Sequence, residues 1–270
     1  MLAAAAQLHA GPDWRRNLEE ARRALDQATR EGARLIVLPE LFMAWKPGIP
    51  TGESVQSLAQ PIDGPFVTAL SNAAREAGLW VVCGTVETSD QGDLPYNTTV
   101  VLDDAGRLIT QYRKTHLFDA FNWRESETIR PGDTLFEPVD TPLGRIGLMV
   151  CYELRFPEVA RYLTDRGAEI LVVPSAWVAG PGKEAQWRVL TVARAIENTV
   201  FVIAADQTGT GFTGASLIGD PMGVTLTDAG NDERVVCADI NLDRLVEARE
   251  KVPSLRHRRR ELYQRVPSVV

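Results

Sequence analysis

The sequence predicts an α/β fold in which helices cover a mixed β-sheet. Short apolar runs alternate with helical periodicities along most of the chain, the pattern of strands interleaved with helices. Runs such as Leu35-Ile-Val-Leu38 are apolar throughout, as strands covered on both faces should be. Asp103-Asp-Ala-Gly106 reads as a hairpin turn between residues 96–102 and 108–112, so neighbouring strands also run antiparallel.

Each element follows from local chemistry. Residues 1–9 read as a first strand. They lack a basic leader, and Gln7 and His9 interrupt the apolar stretch, unlike a secretion signal. Trp14, Leu18, Ala21, Leu25 and Ala28 form one apolar helical face, closed by Gly32. A strand follows at 35–38, stopped by Pro39. A second helix is expected at about 65–77, then strands at 79–86, 96–102, 108–112 and 145–150. Pro157 suits the first position of a helix that Gly167 closes. Strands at 170–173 and 200–205 bracket a helix at 184–198. Residues 224–227 and 235–240 read as edge strands, and 242–251 as a last helix.

Composition narrows the function. The 270 residues are 44% hydrophobic and 24% charged, ordinary for a globular protein and unlike a disordered or disulfide-bonded one. No repeat, low-complexity stretch or long linker divides the chain. One domain over residues 1–270 is expected, with a core to about residue 245 and a tail beyond it. A net charge of −7 disfavours nucleic acid, and the basic Arg256-His-Arg-Arg-Arg260 reads as a solvated or oligomer-contacting tail. No apolar run approaches membrane-spanning length. Cys83, Cys151 and Cys237 are too scattered for a disulfide framework or a metal pair, which fits a reducing cytoplasm. His9, His116 and His257 form no metal-binding motif.

Reactive groups gather beyond the C-terminal ends of strands in open α/β sheets. Glu40, Lys114 and Cys151 each follow a predicted strand. Singly, each has a plain structural explanation: a capping or surface glutamate, a surface lysine, a buried thiol. Together they form a coherent catalyst. A carboxylate can deprotonate a thiol, and an ammonium can hold a thiolate and then an oxyanion. A Cys–His arrangement would have to use His116, the histidine nearest in sequence to these residues.

Leu38-Pro-Glu40-Leu-Phe, Tyr112-Arg-Lys114-Thr-His-Leu-Phe-Asp and Val150-Cys151-Tyr-Glu-Leu-Arg-Phe-Pro-Glu158 resemble, in order, the three signature segments of the nitrilase, or carbon–nitrogen hydrolase, superfamily. Tyr96-Asn97, Arg124-Glu125-Ser126, Pro131-Gly132 and Ala193-Arg-Ala-Ile-Glu-Asn198 match the same family, as do the segments from Gly214 to Pro221 and from Arg258 to Tyr263. The resemblance spans essentially the whole chain. It implies a four-layer α-β-β-α sandwich with mixed sheets. Glu40 would be general base, Lys114 the oxyanion cation, Cys151 the nucleophile and Glu125 a second glutamate holding Lys114, with Glu127 as its alternative. It also implies the Tyr152 N–H as the other oxyanion donor, an ion pair from Arg155 supporting the nucleophile turn, and a homodimer or larger assembly. The alternative for Arg155 is a solvated residue ahead of the Pro157 helix.

Two other patterns fail on context. Gly209-Thr-Gly211-Phe-Thr-Gly214 fits a dinucleotide fingerprint but opens no helix, and the segment around Ser216 misses the serine-hydrolase elbow. No cofactor is expected. Cys151-Tyr152-Glu153 looks closer to the Nit-type amidases, whose branch includes omega-amidases and deaminated-glutathione amidases, than to true nitrilases. A small amide is the expected substrate, with nitrile or N-carbamoyl hydrolysis as alternatives and a non-catalytic binding homologue as the reading from another class. Phe42, Trp45, Trp123 and Trp177 are candidates to line the pocket.

Overall fold

A computed structural model describes residues 1–46, 52–92, 94–209 and 211–263, so residues 264–270 of the expected tail lie outside the described residues. The chain runs β1 (Leu2–Gln7), α1 (Trp14–Glu31), β2 (Ala33–Val37), α2 (Gly52–Gln56), α3 (Pro65–Ala77), β3 (Trp80–Glu87), β4 (Tyr96–Leu102) and β5 (Leu108–Arg113). A small hairpin, β6 (Asp119–Ala120) and β7 (Trp123–Arg124), leads to β8 (Val139–Thr141) and β9 (Gly144–Leu148). Then come α4 (Pro157–Asp165), β10 (Ile170–Ser175), α5 (Lys183–Asn198) and β11 (Phe201–Asp206). The described chain closes with β12 (Leu217–Gly219), β13 (Thr225–Asp228), β14 (Arg234–Asp239), α6 (Leu242–Lys251), α7 (Ser254–His257) and α8 (Arg260–Tyr263).

The strands build two six-stranded sheets, ordered β14-β1-β2-β3-β4-β5 and β13-β12-β11-β10-β9-β8. Each has a parallel trio at its centre, β1–β2–β3 in one and β9–β10–β11 in the other, with antiparallel strands on both sides. β13 and β14 are edge strands, as their sequences predict.

Strand alternation explains the layering. Along β1, Ala3 and Ala5 join Leu35, Val37 and Val82 in a core shared with the β9–β11 strands, between the sheets. Ala4 and Ala6 face the other way, beneath the apolar stripe of α1 and beside Phe66 and Leu70 of α3. Leu163 of α4 and Trp187 of α5 pack on the second sheet. The result is the α-β-β-α sandwich, with mixed sheets, that the family resemblance implies. Alanines in β1 suit this position, because bulkier side chains on both faces would hold the layers apart.

Capping sets the element ends. Asp13 caps α1 and Gly32 ends it in the left-handed region, where glycine carries no Cβ penalty. Pro65 opens α3 and Pro157 opens α4, positions where proline's missing N–H costs nothing. Among the described residues no helix is long and apolar enough to cross a membrane.

Candidate active site

The C-terminal ends of β2, β5 and β9 converge on one cavity, whose wall includes Glu40, Lys114, Glu125, Cys151 and Tyr152. Glu40 follows β2 at a sharp turn, for Leu41 after it adopts φ 52°. Cys151 has φ 46°, a left-handed conformation strained for a side chain larger than glycine, and opens a short 3₁₀ turn, Cys151–Arg155. The first N–H groups of such a turn lack internal acceptors, which leaves the Tyr152 N–H open to a ligand oxygen.

Lys114 is the hub. Its Nζ donates to Glu40 Oε1 and to Glu125 Oε2, both at 2.8 Å. Asn97 bridges the same carboxylates, donating to Glu40 Oε1 at 2.8 Å and Glu125 Oε1 at 3.0 Å. Each acid is also pinned to the backbone. The Ala176 N–H donates to Glu40 Oε2 at 2.7 Å, and the Phe118 N–H to Glu125 Oε2 at 2.7 Å. Gln207 donates to the Glu40 carbonyl at 2.9 Å, tying this corner to the second sheet. Glu127 lies outside the cluster, exposed beside Arg124.

The electrostatics follow from this packing. Burial alone would favour a neutral Lys114 amine, but the Glu125 and Glu40 carboxylates outweigh it and hold its pKa well above the ordinary lysine value. Burial also pushes the Cys151 thiol well up, and the Glu40 carboxylate adds to the shift, more than Lys114 offsets. The resting site therefore holds a neutral thiol, a lysine cation and two acids. It can remove the thiol proton only as the sulfur attacks, and it can offer a positive charge to a developing oxyanion.

The turn that carries Cys151 is braced by a carboxylate, though by another residue than the one expected. Arg155 makes no ion pair among the described residues: its Nη2 donates to Gln186 Oε1 at 2.6 Å and its guanidinium lies 5.0 Å from the Trp177 ring centroid. Glu153, fully buried, takes the bracing role. It accepts from the Val150 N–H at 2.8 Å through Oε2, and through Oε1 from the Tyr112 hydroxyl at 2.6 Å and Thr115 Oγ1 at 2.7 Å. The geometry explains the exchange, since Glu153 points back into the turn while Arg155 points out towards α5. His116 turns to the same carboxylate, with Nδ1 at 3.3 Å from Glu153 Oε1.

Trp45, Trp123 and Trp177 line the cavity, together with Phe118 and Phe212. Phe42 does not: it is fully buried in the core beneath α1 and α3. Asp206, which sits in no motif, is buried behind the cavity wall, accepting from the Trp177 N–H at 2.7 Å. Burial holds its carboxyl well above the usual range. Its signal was an acid ending the apolar run Phe201-Val-Ile-Ala-Ala.

Gly84 of β3 shows how closely Glu40 is fitted. A Cβ there would lie 2.4 Å from Leu41 N and 2.6 Å from Glu40 Cα. Gly84→Ala is therefore expected to shift Glu40 and lower turnover about 10²-fold, the usual cost of misplacing a reacting group by roughly 1 Å. Steady-state kinetics on folded variant checks this, and unchanged kcat would contradict it.

Comparison with known proteins places these residues in context. The carbon-nitrogen hydrolase family model matches residues 2–250. A deaminated glutathione amidase from Synechocystis is 38% identical over 273 residues, covering 95% of this chain and 97% of its own. Omega-amidase NIT2 from Mus musculus is 36% identical over 258 residues, 92% of this chain and 91% of its own. The crystal structure of the C. elegans NitFhit protein superposes with a TM-score of 0.90 at 32% identity, covering 97% of this chain and 66% of that longer one.

Proposed function

The chain belongs to the carbon-nitrogen hydrolase family, and from that premise we propose that it is a cysteine amidase, converting a small carboxylic amide to its acid and ammonia. The observation that carries this reading is Lys114 Nζ, held at 2.8 Å by both Glu40 and Glu125 in the cavity that contains Cys151.

In the proposed reaction Cys151 Sγ attacks the amide carbon while Glu40 accepts the thiol proton. The oxyanion is received by Lys114 Nζ and the Tyr152 N–H. One such donor is typically worth about 3–4 kcal/mol of transition-state stabilisation. Glu40 then returns the proton to the leaving nitrogen, the C–N bond breaks and ammonia departs. A thioester on Cys151 remains; water deprotonated by Glu40 adds to its carbonyl carbon, the C–S bond then breaks to release the acid, and Glu40 returns the proton to the Cys151 sulfur. Glu125 positions Lys114 throughout, and Glu153 supports the turn that carries the nucleophile. Every proton is carried by the protein's own side chains.

The reading extends to a single catalytic domain over residues 1–270, a cytoplasmic location and a homodimer or larger assembly. Exposed Val189 and Ile196 along α5 supply apolar surface for such pairing. Sedimentation as a monomer would refute the dimer.

The test is ammonia release from a panel of amides, nitriles and N-carbamoyl amino acids, with rapid acid quenching of a good substrate. The expected result is turnover of amides and a mass increase of one acyl group on the peptide that carries Cys151. Turnover confined to nitriles or N-carbamoyl compounds would move the activity to those alternatives. Silence across the panel would favour a binding homologue.

A further inference from the structure

One buried hydroxyl beside the nucleophile is left idle by this chemistry. Ser175 closes β10 and is fully buried. Its main chain belongs to the site: the Ser175 carbonyl accepts from the Glu40 N–H at 3.3 Å, and the next N–H, of Ala176, donates to Glu40 Oε2. β10 runs parallel to β9 in the register Ile170↔Ile146, Leu171↔Gly147 and Val172↔Leu148. Continued three residues, that register sets Ser175 level with Cys151. The hydroxyl is near enough to the sulfur to favour its charged form, yet among the described residues it makes no aligned hydrogen bond, to the neutral thiol or to anything else.

A buried donor without an acceptor destabilises the resting fold, so its acceptor belongs to another state of the site. The acids around it are engaged. Glu40 Oε1 accepts from Lys114 and Asn97, and Oε2 from the Ala176 N–H. Asp206 is the register partner of Ser175 on β11, and its Oδ1 accepts from the Trp177 N–H. Burial keeps that carboxyl largely protonated, so it holds no charge to draw the hydroxyl away. What remains is the sulfur. A thiol or thioester sulfur is a weak acceptor, and an ionised one is strong. In the proposed reaction negative charge reaches Sγ twice, as the thiol loses its proton and again as the C–S bond breaks.

Resting on the reading of Cys151 as the nucleophile of an amidase, we propose that Ser175 is a further catalytic residue, whose hydroxyl donates a hydrogen bond to Sγ whenever that sulfur carries negative charge. No proton changes hands in this contact. Glu40 takes the thiol proton and later returns it, and Ser175 steadies the sulfur while Lys114 is committed to the oxyanion. The charged groups that act on the sulfur are Glu40, Lys114 and, from α5, Lys183, so Ser175 is the neutral donor among them. Because the contact forms only in charged states, it speeds the reaction without tightening the binding of substrate. The resting fold gives up a little stability for it.

The experiment uses Ser175→Ala, which removes the hydroxyl and little else, and Ser175→Thr, which keeps one. Ser175→Ala is expected to lower kcat for a good amide about 10- to 100-fold with KM unchanged, the scale of one hydrogen bond to a charged group. Its melting temperature should equal or exceed that of wild type, because the lost hydroxyl has no partner in the resting fold. Labelling with methyl methanethiolsulfonate, read on the peptide that carries Cys151, should slow about tenfold at a fixed neutral pH and recover only at higher pH. Ser175→Thr should regain part of both losses. A kcat within about twofold of wild type, or a labelling profile that Ser175→Ala leaves in place, would overturn the assignment. A Ser175→Ala protein that melts well below wild type, or fails to fold, would overturn it too, since the hydroxyl would then act in the resting fold. Amide turnover absent from wild type, or surviving in Cys151→Ala, defeats the amidase reading instead, and the labelling profile still decides the contact with sulfur.

Discussion

Cys151→Ala is expected to reduce ammonia release about 10⁶-fold, the scale on which a nucleophile acting as a unit with its base is lost. No other thiol can replace it. Cys83 is fully buried in the core beneath α1 and α3, and Cys237 lies on the edge strand β14. The variant should fold normally. Alanine tolerates the φ of 46° no worse than cysteine, and one sulfur lost from a cavity wall changes stability by about 1 kcal/mol or less. The raised pKa of the thiol sharpens the argument. In the proposed mechanism, because burial favours the protonated Cys151 thiol, its nucleophilicity depends on Glu40 taking the proton during attack. Glu40→Gln should therefore approach the Cys151→Ala rate. Ammonia assays beside thermal melts check both, and turnover retained within a hundredfold of wild type in a folded Cys151→Ala protein would remove cysteine from the mechanism.

Lys114→Met should fail twice, in turnover and in stability. Loss of an oxyanion cation costs about 10²–10³ in kcat, and disordering Glu40 adds to it. Stability should fall by about 3–5 kcal/mol, because Glu40 and Glu125 are left as buried carboxylates facing each other. Adding Glu40→Gln and Glu125→Gln removes that repulsion. The triple variant should recover most of the stability and none of the activity. Denaturant melts of the single and triple variants measure this directly. A Lys114→Met protein as stable as wild type would mean that the three charges are not coupled.

The fold was legible where punctuation is local. Residues 65–77 and 242–251 match α3 and α6 because a proline, a glycine or an asparagine marks each end in the sequence itself. β6, β7 and β8 escaped notice, since strands of two or three residues carry too few side chains to show a period. In the site, Glu40, Lys114, Glu125 and Cys151 stood out because they end strands or sit in matching segments. Partners chosen by tertiary packing did not. Arg155 meets Gln186 of α5 instead of an acid. Glu153 had only its place beside Cys151 to mark it, and the fold gives it a role by closing Tyr112 and Thr115 around it. Lys183, one of only four lysines, sits in no motif, and only the fold brings three aromatic rings around it.

Glu40, Glu125 and Glu153 each accept from a main-chain N–H, those of Ala176, Phe118 and Val150. Main-chain donors survive any substitution except proline, so these three anchors do not depend on the side chains of Ala176, Phe118 and Val150, whereas the contacts from Lys114 and Asn97 depend on those side chains. The outer cavity walls hang from different supports: Trp45 and Phe212 on loops, Lys183 on a helix end. In the proposed amidase, reaction and selectivity therefore rest on different parts of the fold. A laboratory that wants a new substrate should randomise those walls and leave the strand ends alone, and it should find that most such libraries keep their chemistry.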